Sequence, residues 1–372
     1  MFTRIAIRNY RSLNVDFTLE PVTVIVGRSG TGKSNLVHAM RFLKKALAHD
    51  ADLLPGNAPE HSVFSITQPK SEPVEFRLEY ALAQGDKPYR YEVSFSQRPN
   101  ITESLTLDGH TLFSRQGEKW VVEPKILQKP QLYPFRLALP QISGIQEISI
   151  AHLLLTRGLG CYDFPGDVCA VTTRTSSESL LDRADNCAEV FSRIRGNLMR
   201  LNDWKEITRA LTRLNPTVTS VDITPQSNTL IVSHGLGDNV FTLDISRESE
   251  GFRRFFAHLL AIYQTPSKQH LFFEEPEKGI HPGALATLAE EFKAAPKEQH
   301  GQIVLTTHSP ALLDHFAPEC IRVAEMRNHV THIGPLAEEQ LSSVKEELLK
   351  AGELLTVDPA RIHEELSDVA EA

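Results

Sequence analysis

Gly27-Arg28-Ser29-Gly30-Thr31-Gly32-Lys33-Ser34 combines closely spaced glycines with a lysine and a hydroxyl, the residue types that hold a polyphosphate. Glycines let a backbone curl until successive N–H groups point inward at anionic oxygens. In a loop of the form G-x-x-x-x-G-K-S, Lys33 is placed to reach the β- and γ-phosphates of a nucleotide. The Ser34 hydroxyl is placed to ligate Mg²⁺. The start of the following helix, at Lys33 to Asn35, adds its positive end to the same site.

Leu271-Phe272-Phe273-Glu274-Glu275-Pro276 is an apolar run ending in two carboxylates. Alone, that pattern describes a solvated acidic turn. Beside a phosphate loop it describes a strand that carries acid to the metal edge, because open parallel sheets bind ligands at the carboxyl ends of their strands. Glu274 then acts through the metal shell, and Glu275 orients and polarises the attacking water. A second apolar run, Ile303-Val304-Leu305, ends in Thr306-Thr307-His308-Ser309-Pro310. There His308 is expected to reach the γ-phosphate as a donor and to sense its presence. Ser249 and Gly251 offer a hydroxyl and backbone N–H groups at a helix start, an arrangement that binds anions but also describes an ordinary N-cap.

The elements that must position these residues are legible from periodicity. Residues 2–8 alternate with period two, and Val22 to Val26 is a continuous apolar run, so both read as strands. Leu36, Val37, Met40, Leu43 and Leu47 recur at helical spacing after the phosphate loop, to about His49. Residues 74–122 alternate like an antiparallel sheet, with Asp108-Gly109 as a hairpin turn. Prolines 124, 130, 134 and 140 mark an irregular connection, and 177–214 returns to helical spacing. Short strands are expected near 218–224, 228–233 and 240–245. A helix over 251–264 then leads into the carboxylate strand, and one over 283–294 into the histidine strand. That alternation implies α/β with a largely parallel sheet. Charged residues dominate 337–372, which reads as one or two surface helices.

Composition bounds the rest. The chain has 372 residues, 41% of them hydrophobic and 23% charged, enough for two to three folded domains. Its formal net charge of −8 excludes a uniformly basic nucleic-acid binder and leaves only a local basic face. The four cysteines, Cys161, Cys169, Cys187 and Cys320, form no C-x-x-C pair and read as reduced thiols of a cytoplasmic protein. No apolar run approaches membrane-spanning length, so no membrane contact is expected. Heptads do not persist beyond a few turns, which excludes long coiled-coil arms.

Together these motifs resemble the ABC-type ATPases, in the RecF/SMC-head-like branch of compact members related to the ATPase part of OLD-type proteins. Ile5 to Ser12 looks like that branch's opening strand, and Gly27 to Asn35 its Walker A. Ser249-Glu250-Gly251 resembles a shortened signature motif. Glu274-Glu275-Pro276-Glu277 with Gly279-Ile280-His281-Pro282 resembles Walker B and the D-loop. Thr307-His308-Ser309-Pro310 resembles the switch histidine, and Leu181 to Asn186 also looks familial. Two departures stand out: Arg28-Ser29 replaces the usual Asn, and Glu274 replaces the usual Walker B Asp. The Q-loop has only Gln68 as a candidate, and an ordinary loop glutamine is the simpler reading.

The resemblance implies a P-loop NTPase of ABC-ATPase type with an antiparallel β subdomain and an inserted helical lobe. It divides the chain into a split ATPase core at 1–55 and 236–345, a β subdomain at 56–150, a helical lobe at 151–235 and a tail at 346–372. It also implies ATP and Mg²⁺ as cofactors and a Mg-dependent ATPase. Catalysis falls to Glu275 and His308, and the metal to Ser34 and Glu274. The nucleotide falls to Gly27, Arg28, Ser29, Gly30, Thr31, Gly32, Lys33, Ser34 and Asn35, with Ser249 and Gly251 contributed in trans across a head-to-tail homodimer or higher homo-oligomer. Two loads for such an engine stay open. One is a separate effector, a nuclease or toxin, gated in anti-phage defence. The other is DNA, clamped as in a RecF-like repair factor, with Arg4, Arg8, Arg11, Lys44, Lys45, Arg253 and Arg254 as contacts. Asp50-Ala51-Asp52 reads as a solvated helix end rather than as a nuclease motif.

Overall fold

The computed structural model describes residues 1–48, 63–65, 72–83, 85–96, 100–123, 136–142, 144–171, 175, 177–200, 202–224, 229–237 and 239–363. Gln68, Asp50 to Asp52 and prolines 124, 130 and 134 lie outside them. The chain forms two compact units, one built from Met1–Leu159 with Ala317–Ala372, the other from Gly160–Phe316.

The first unit begins with β1 (Phe2–Tyr10), β2 (Leu13–Thr18), β3 (Val22–Val26) and α1 (Lys33–Leu47). It continues with β4 (Val74–Tyr80), β5 (Tyr89–Phe95), β6 (Ile101–Leu107), β7 (His110–Gln116), β8 (Lys119–Val122) and α2 (Gln146–Thr156). The second unit holds β9 (Leu159–Tyr162), α3 (Cys187–Gly196), α4 (Asp203–Leu214), β10 (Val218–Thr224), β11 (Thr229–Leu236), β12 (Asn239–Asp244) and α5 (Glu250–Tyr263). It closes with β13 (His270–Glu274), α6 (Leu285–Ala294), β14 (Gln302–Thr306) and α7 (Pro310–Leu313). The chain then returns to the first unit as β15 (Ile321–Arg327), β16 (Val330–Pro335) and α8 (Glu338–Lys345).

In the first unit the strand order is β8-β7-β6-β5-β4-β1-β2-β16-β15-β3. The meander β4 to β8 is antiparallel throughout, as the alternation over 74–122 demanded. Its hairpin at Asp108-Gly109 has both residues at positive φ, 53° and 79°, the geometry of a tight β-hairpin turn. β3 is buried along its whole length and pairs in parallel with β15, Val26 beside Val323. α1 buries Leu36, Val37, Met40, Leu43 and Leu47, the stripe read from its spacing. Strands β2, β15 and β16 add to those expected from the alternation. β2 follows β1 after a two-residue turn, and β15 and β16 are joined by Asn328-His329, both at positive φ.

In the second unit β14 and β13 run parallel, with Glu274 opposite Thr306, and β9 follows β13 in the order. β10, β11 and β12 make a separate antiparallel sheet. α5 is apolar almost all round, burying Phe252, Phe255, Phe256, Leu259 and Leu260, so it forms the unit's central helix rather than a surface one. The expected helical stretch 177–214 is interrupted: Leu181 to Asn186 turns before α3 starts. The longest helix among the described residues, α1, has 15 residues, and no helix among them is long and apolar enough to cross a membrane.

Candidate functional site

The phosphate loop sits between the buried strand β3 and α1. Lys33 is buried, and its Nζ donates to Gly27 O at 2.8 Å, Arg28 O at 2.9 Å and Thr31 Oγ1 at 3.3 Å. The ammonium therefore closes the loop on itself and draws the loop's carbonyls toward its own side. Arg28 and Ser29 are exposed at the loop tip. Gly32 caps α1 at φ 88°, and a Cβ there would overlap Thr331 Oγ1 and crowd Ser12 Oγ, so only glycine passes. The first turn of α1 contains no acidic residue, which suits an anion at that end.

A brace that sequence reading missed fixes this loop from behind. Thr331 Oγ1, on β16, donates to Thr31 O at 2.8 Å and shares a 2.7 Å hydrogen bond with Ser12 Oγ. Ser12 Oγ in turn accepts from Asn35 Nδ2 at 2.8 Å, and Asn35 Oδ1 accepts from Arg11 Nη1 at 3.2 Å. Arg11 Nη2 lies 3.0 Å from His38 Nε2, whose Nδ1 meets the Tyr10 hydroxyl at 2.5 Å. Burial, with Arg11, Arg41 and Lys45 nearby, lowers the His38 pKa to about 4, so the imidazole is neutral and accepts from Arg11. Asn35, expected among the nucleotide contacts, thus has its amide turned to the β1–β2 turn. The Tyr10-Arg11-Ser12 phrase was the available signal for this brace; Thr331 carried none.

In the second unit, β13 and β14 bring their ends together. Glu275 N–H donates to Thr306 O at 3.0 Å, and Glu275 itself sits at φ 43°. Its Oε1 lies 3.4 Å from His308 Nε2 and its Oε2 3.1 Å from Lys278 Nζ. Glu274 is partly exposed at the end of β13. Glu277 Oε1 accepts from Thr307 Oγ1 at 2.7 Å and from His308 N–H at 2.9 Å. Ser309 Oγ caps α7 by accepting from Leu312 N–H at 3.1 Å.

Ser249 is the N-cap of α5, its hydroxyl accepting from Phe252 N–H at 3.2 Å. Gly251 packs against the loop after β13, where an added Cβ would stand 2.6 Å from Gly279 O. Arg253 holds this turn in place: its guanidinium donates to Val168 O at 3.1 Å, Gly166 O at 2.8 Å and Glu248 O. Arg254 pairs with Glu250 at 3.0 Å. Arg11, Arg253 and Arg254, expected as DNA contacts, each have hydrogen bonds or an ion pair within the chain. Arg4 pairs with Asp16 at 2.6 Å.

Ser34, exposed at the start of α1 in the first unit, and Glu274, at the end of β13 in the second, each offer a hard oxygen donor of the type that suits Mg²⁺.

A family model described as an AAA domain matches residues 4–228. A second, described as "AAA domain, putative AbiEii toxin, Type IV TA system", matches residues 191–314. The chain is similar to the Old nuclease of Escherichia phage P2, 23% identical over 377 residues, covering 93% of this chain and 62% of that protein. It therefore spans less than two thirds of that relative. Among solved structures it is similar to an Smc head bound to the C-winged helix domain of ScpA, with TM-score 0.58, 16% identity and coverage of 92% of this chain and 99% of the other. An Smc head with an extended coiled coil, bound to the C-terminal domain of ScpA from Pyrococcus furiosus, gives TM-score 0.56, 13% identity and coverage of 93% and 99%.

Proposed function

The chain belongs to the AAA domain family, within the SMC/RecF/OLD-like group of ABC-type ATPases, and from that premise we propose that it binds and hydrolyses ATP with Mg²⁺ and works as a switch for a partner effector. The observation that carries the reading is the pairing of Glu275 with His308 at the ends of two adjacent parallel strands. A carboxylate so placed can accept a proton from water, and an imidazole beside it can donate toward the phosphoryl group being lost. Lys33 and the α1 N-terminus would bind the phosphates. Chemistry of this kind depends on position and on charge already in place, which the short, braced loops supply.

In this reading two copies meet head to tail on ATP, with Ser249 and Gly251 of one copy completing the site of the other. Hydrolysis would release them. An effector, a nuclease or toxin, is favoured as the load. The likeness to the Old nuclease and to a family model that names a toxin supports it, as does the internal commitment of Arg11, Arg253 and Arg254. Anti-phage defence is the setting we propose.

Light scattering of Glu275→Gln with and without Mg·ATP, beside the wild-type hydrolysis rate, tests the proposal. A doubling of mass on ATP with slow turnover in the wild type is expected. A wild-type protein that neither binds nor hydrolyses ATP overturns it. Hydrolysis without any change of mass overturns the head-to-tail switch alone.

A further inference from the structure

Glu277 has no part in the chemistry set out above, yet it occupies the junction of the two strand ends. Its Oε1 accepts twice, from the Thr307 hydroxyl at 2.7 Å and from the His308 N–H at 2.9 Å. Its Oε2 is buried without a hydrogen-bond partner. Burial pushes the carboxyl pKa up, against the pull of those two bonds. A turn in water has no need of a carboxylate held at this cost, since a buried unpaired oxygen is expensive.

The surroundings say what it holds. Thr307 is fully buried, and its Oγ1 accepts from Ser309 N–H at 2.9 Å while donating to Glu277. Glu277 O accepts from Ile280 N–H at 3.0 Å, and Glu275 O accepts from Lys278 N–H at 3.1 Å, so the turn after β13 is closed on its own side. Two grips therefore join the strand ends: the Glu275 backbone on Thr306, and the Glu277 carboxylate on Thr307 and His308. The second grip decides where the His308 backbone stands, and with it the ring whose Nε2 faces Glu275 at 3.4 Å.

We propose that Glu277 is a positioning residue, which holds the His308 backbone so that the imidazole stays opposite Glu275. It acts through His308 and touches no reacting group. The kinetic part of the proposal rests on the ATPase reading; the geometric part does not.

Glu277→Gln keeps an oxygen able to accept both bonds, whereas Glu277→Ala removes it. Steady-state ATP hydrolysis is expected to show kcat lowered about 10–100-fold in Glu277→Ala with KM little changed, the signature of a displaced group rather than of lost binding. Glu277→Gln is expected to restore most of kcat. A merely structural role would lower the thermal stability of Glu277→Ala and leave its kcat per folded molecule intact, and that result overturns the proposal. Histidine-selective ¹⁵N NMR gives a readout that needs no turnover, with the His308 ring signals assigned by their loss in His308→Gln. They are expected to move in Glu277→Ala and to stay in Glu277→Gln, with the His258 signals unmoved in both. Unmoved His308 signals in Glu277→Ala overturn the proposal whatever the kinetics. A wild type without ATPase activity defeats the functional reading, and the NMR result then decides this one. If Glu277→Ala fails to fold, Glu277→Met fills the space without accepting and replaces it in both measurements.

Discussion

Glu275 Oε1 and His308 Nε2 stand 3.4 Å apart although 33 positions separate them in the chain, because β13 and β14 are parallel neighbours of matched length. The carboxylate leaves β13 at φ 43°, a turn that swings it toward the histidine. Its other oxygen is held by Lys278 at 3.1 Å. The pair is thus set by backbone register and then trimmed by side chains.

In the proposed function, Glu275→Gln removes the proton acceptor and keeps the shape. Phosphate release is expected to fall about 10²–10⁴-fold, the usual worth of a positioned general base. Binding of a fluorescent ATP analogue should be preserved. Wild-type phosphate release in this variant would remove Glu275 from the role.

Lys33→Ala opens the phosphate loop, since the ammonium bonds to Gly27 O, Arg28 O and Thr31 Oγ1. Charge-assisted hydrogen bonds contribute about 1.5–3 kcal/mol each, so nucleotide affinity is expected to fall at least tenfold. Equilibrium titration with ATP checks it; unchanged affinity would place the nucleotide elsewhere.

Thr331→Val deletes one hydroxyl from behind the loop and leaves Thr31 O and Ser12 Oγ short of a partner. A loss of about 1–3 kcal/mol in urea unfolding is expected, with weaker ATP binding as the loop loosens. Gly32→Ala should be worse, because it combines an overlap with Thr331 Oγ1 and a φ of 88° that alanine resists.

Ser249 caps α5, and the proposed function gives it a second role across a head-to-tail pair; one pair of variants separates the two. Ser249→Ala loses the cap on Phe252 N–H and about 1 kcal/mol, whereas Ser249→Asp retains a cap. In a Glu275→Gln background, Ser249→Asp is expected to recover thermal stability without recovering ATP-dependent dimerisation. Full dimerisation with Asp would reduce Ser249 to a helix cap.

Acid should destabilise the second unit through His258, which is buried among Phe164, Phe273 and Phe292. Its Nδ1–H donates to Arg254 O at 2.7 Å, and burial lowers its pKa to about 3. The folded pKa lies below the unfolded value of 6.5, so the unfolded chain binds the proton first and stability falls as pH drops below about 6.5. One such histidine contributes about 2 kcal/mol of loss between pH 7.5 and 5. His258→Met is expected to remove that share from the pH dependence of urea unfolding; an unchanged slope would show that the ring titrates normally.

What the sequence determined by itself is what local spacing can carry. Gly27 to Ser34 is contiguous, so its place as a loop between a strand and a helix was legible, and so were the apolar strands ending at Glu274 and Thr306 and the stripe of α1. The antiparallel meander and its Asp108-Gly109 turn were legible for the same reason, since alternation and turn chemistry act over a few residues. Tertiary structure alone decided the partners of those motifs. Thr331 reaches Thr31 across 300 positions, and Glu277 reaches Thr307 and His308 across about 30, because strand pairing rather than sequence distance makes them neighbours. Arg11, Arg253 and Arg254 show the converse. Their charge is plain in the sequence, but only packing reveals that backbone carbonyls, Asn35 and Glu250 already claim it. A hydrogen bond is made by atoms at about 3 Å, and no one-dimensional pattern records which atoms a fold will bring that close.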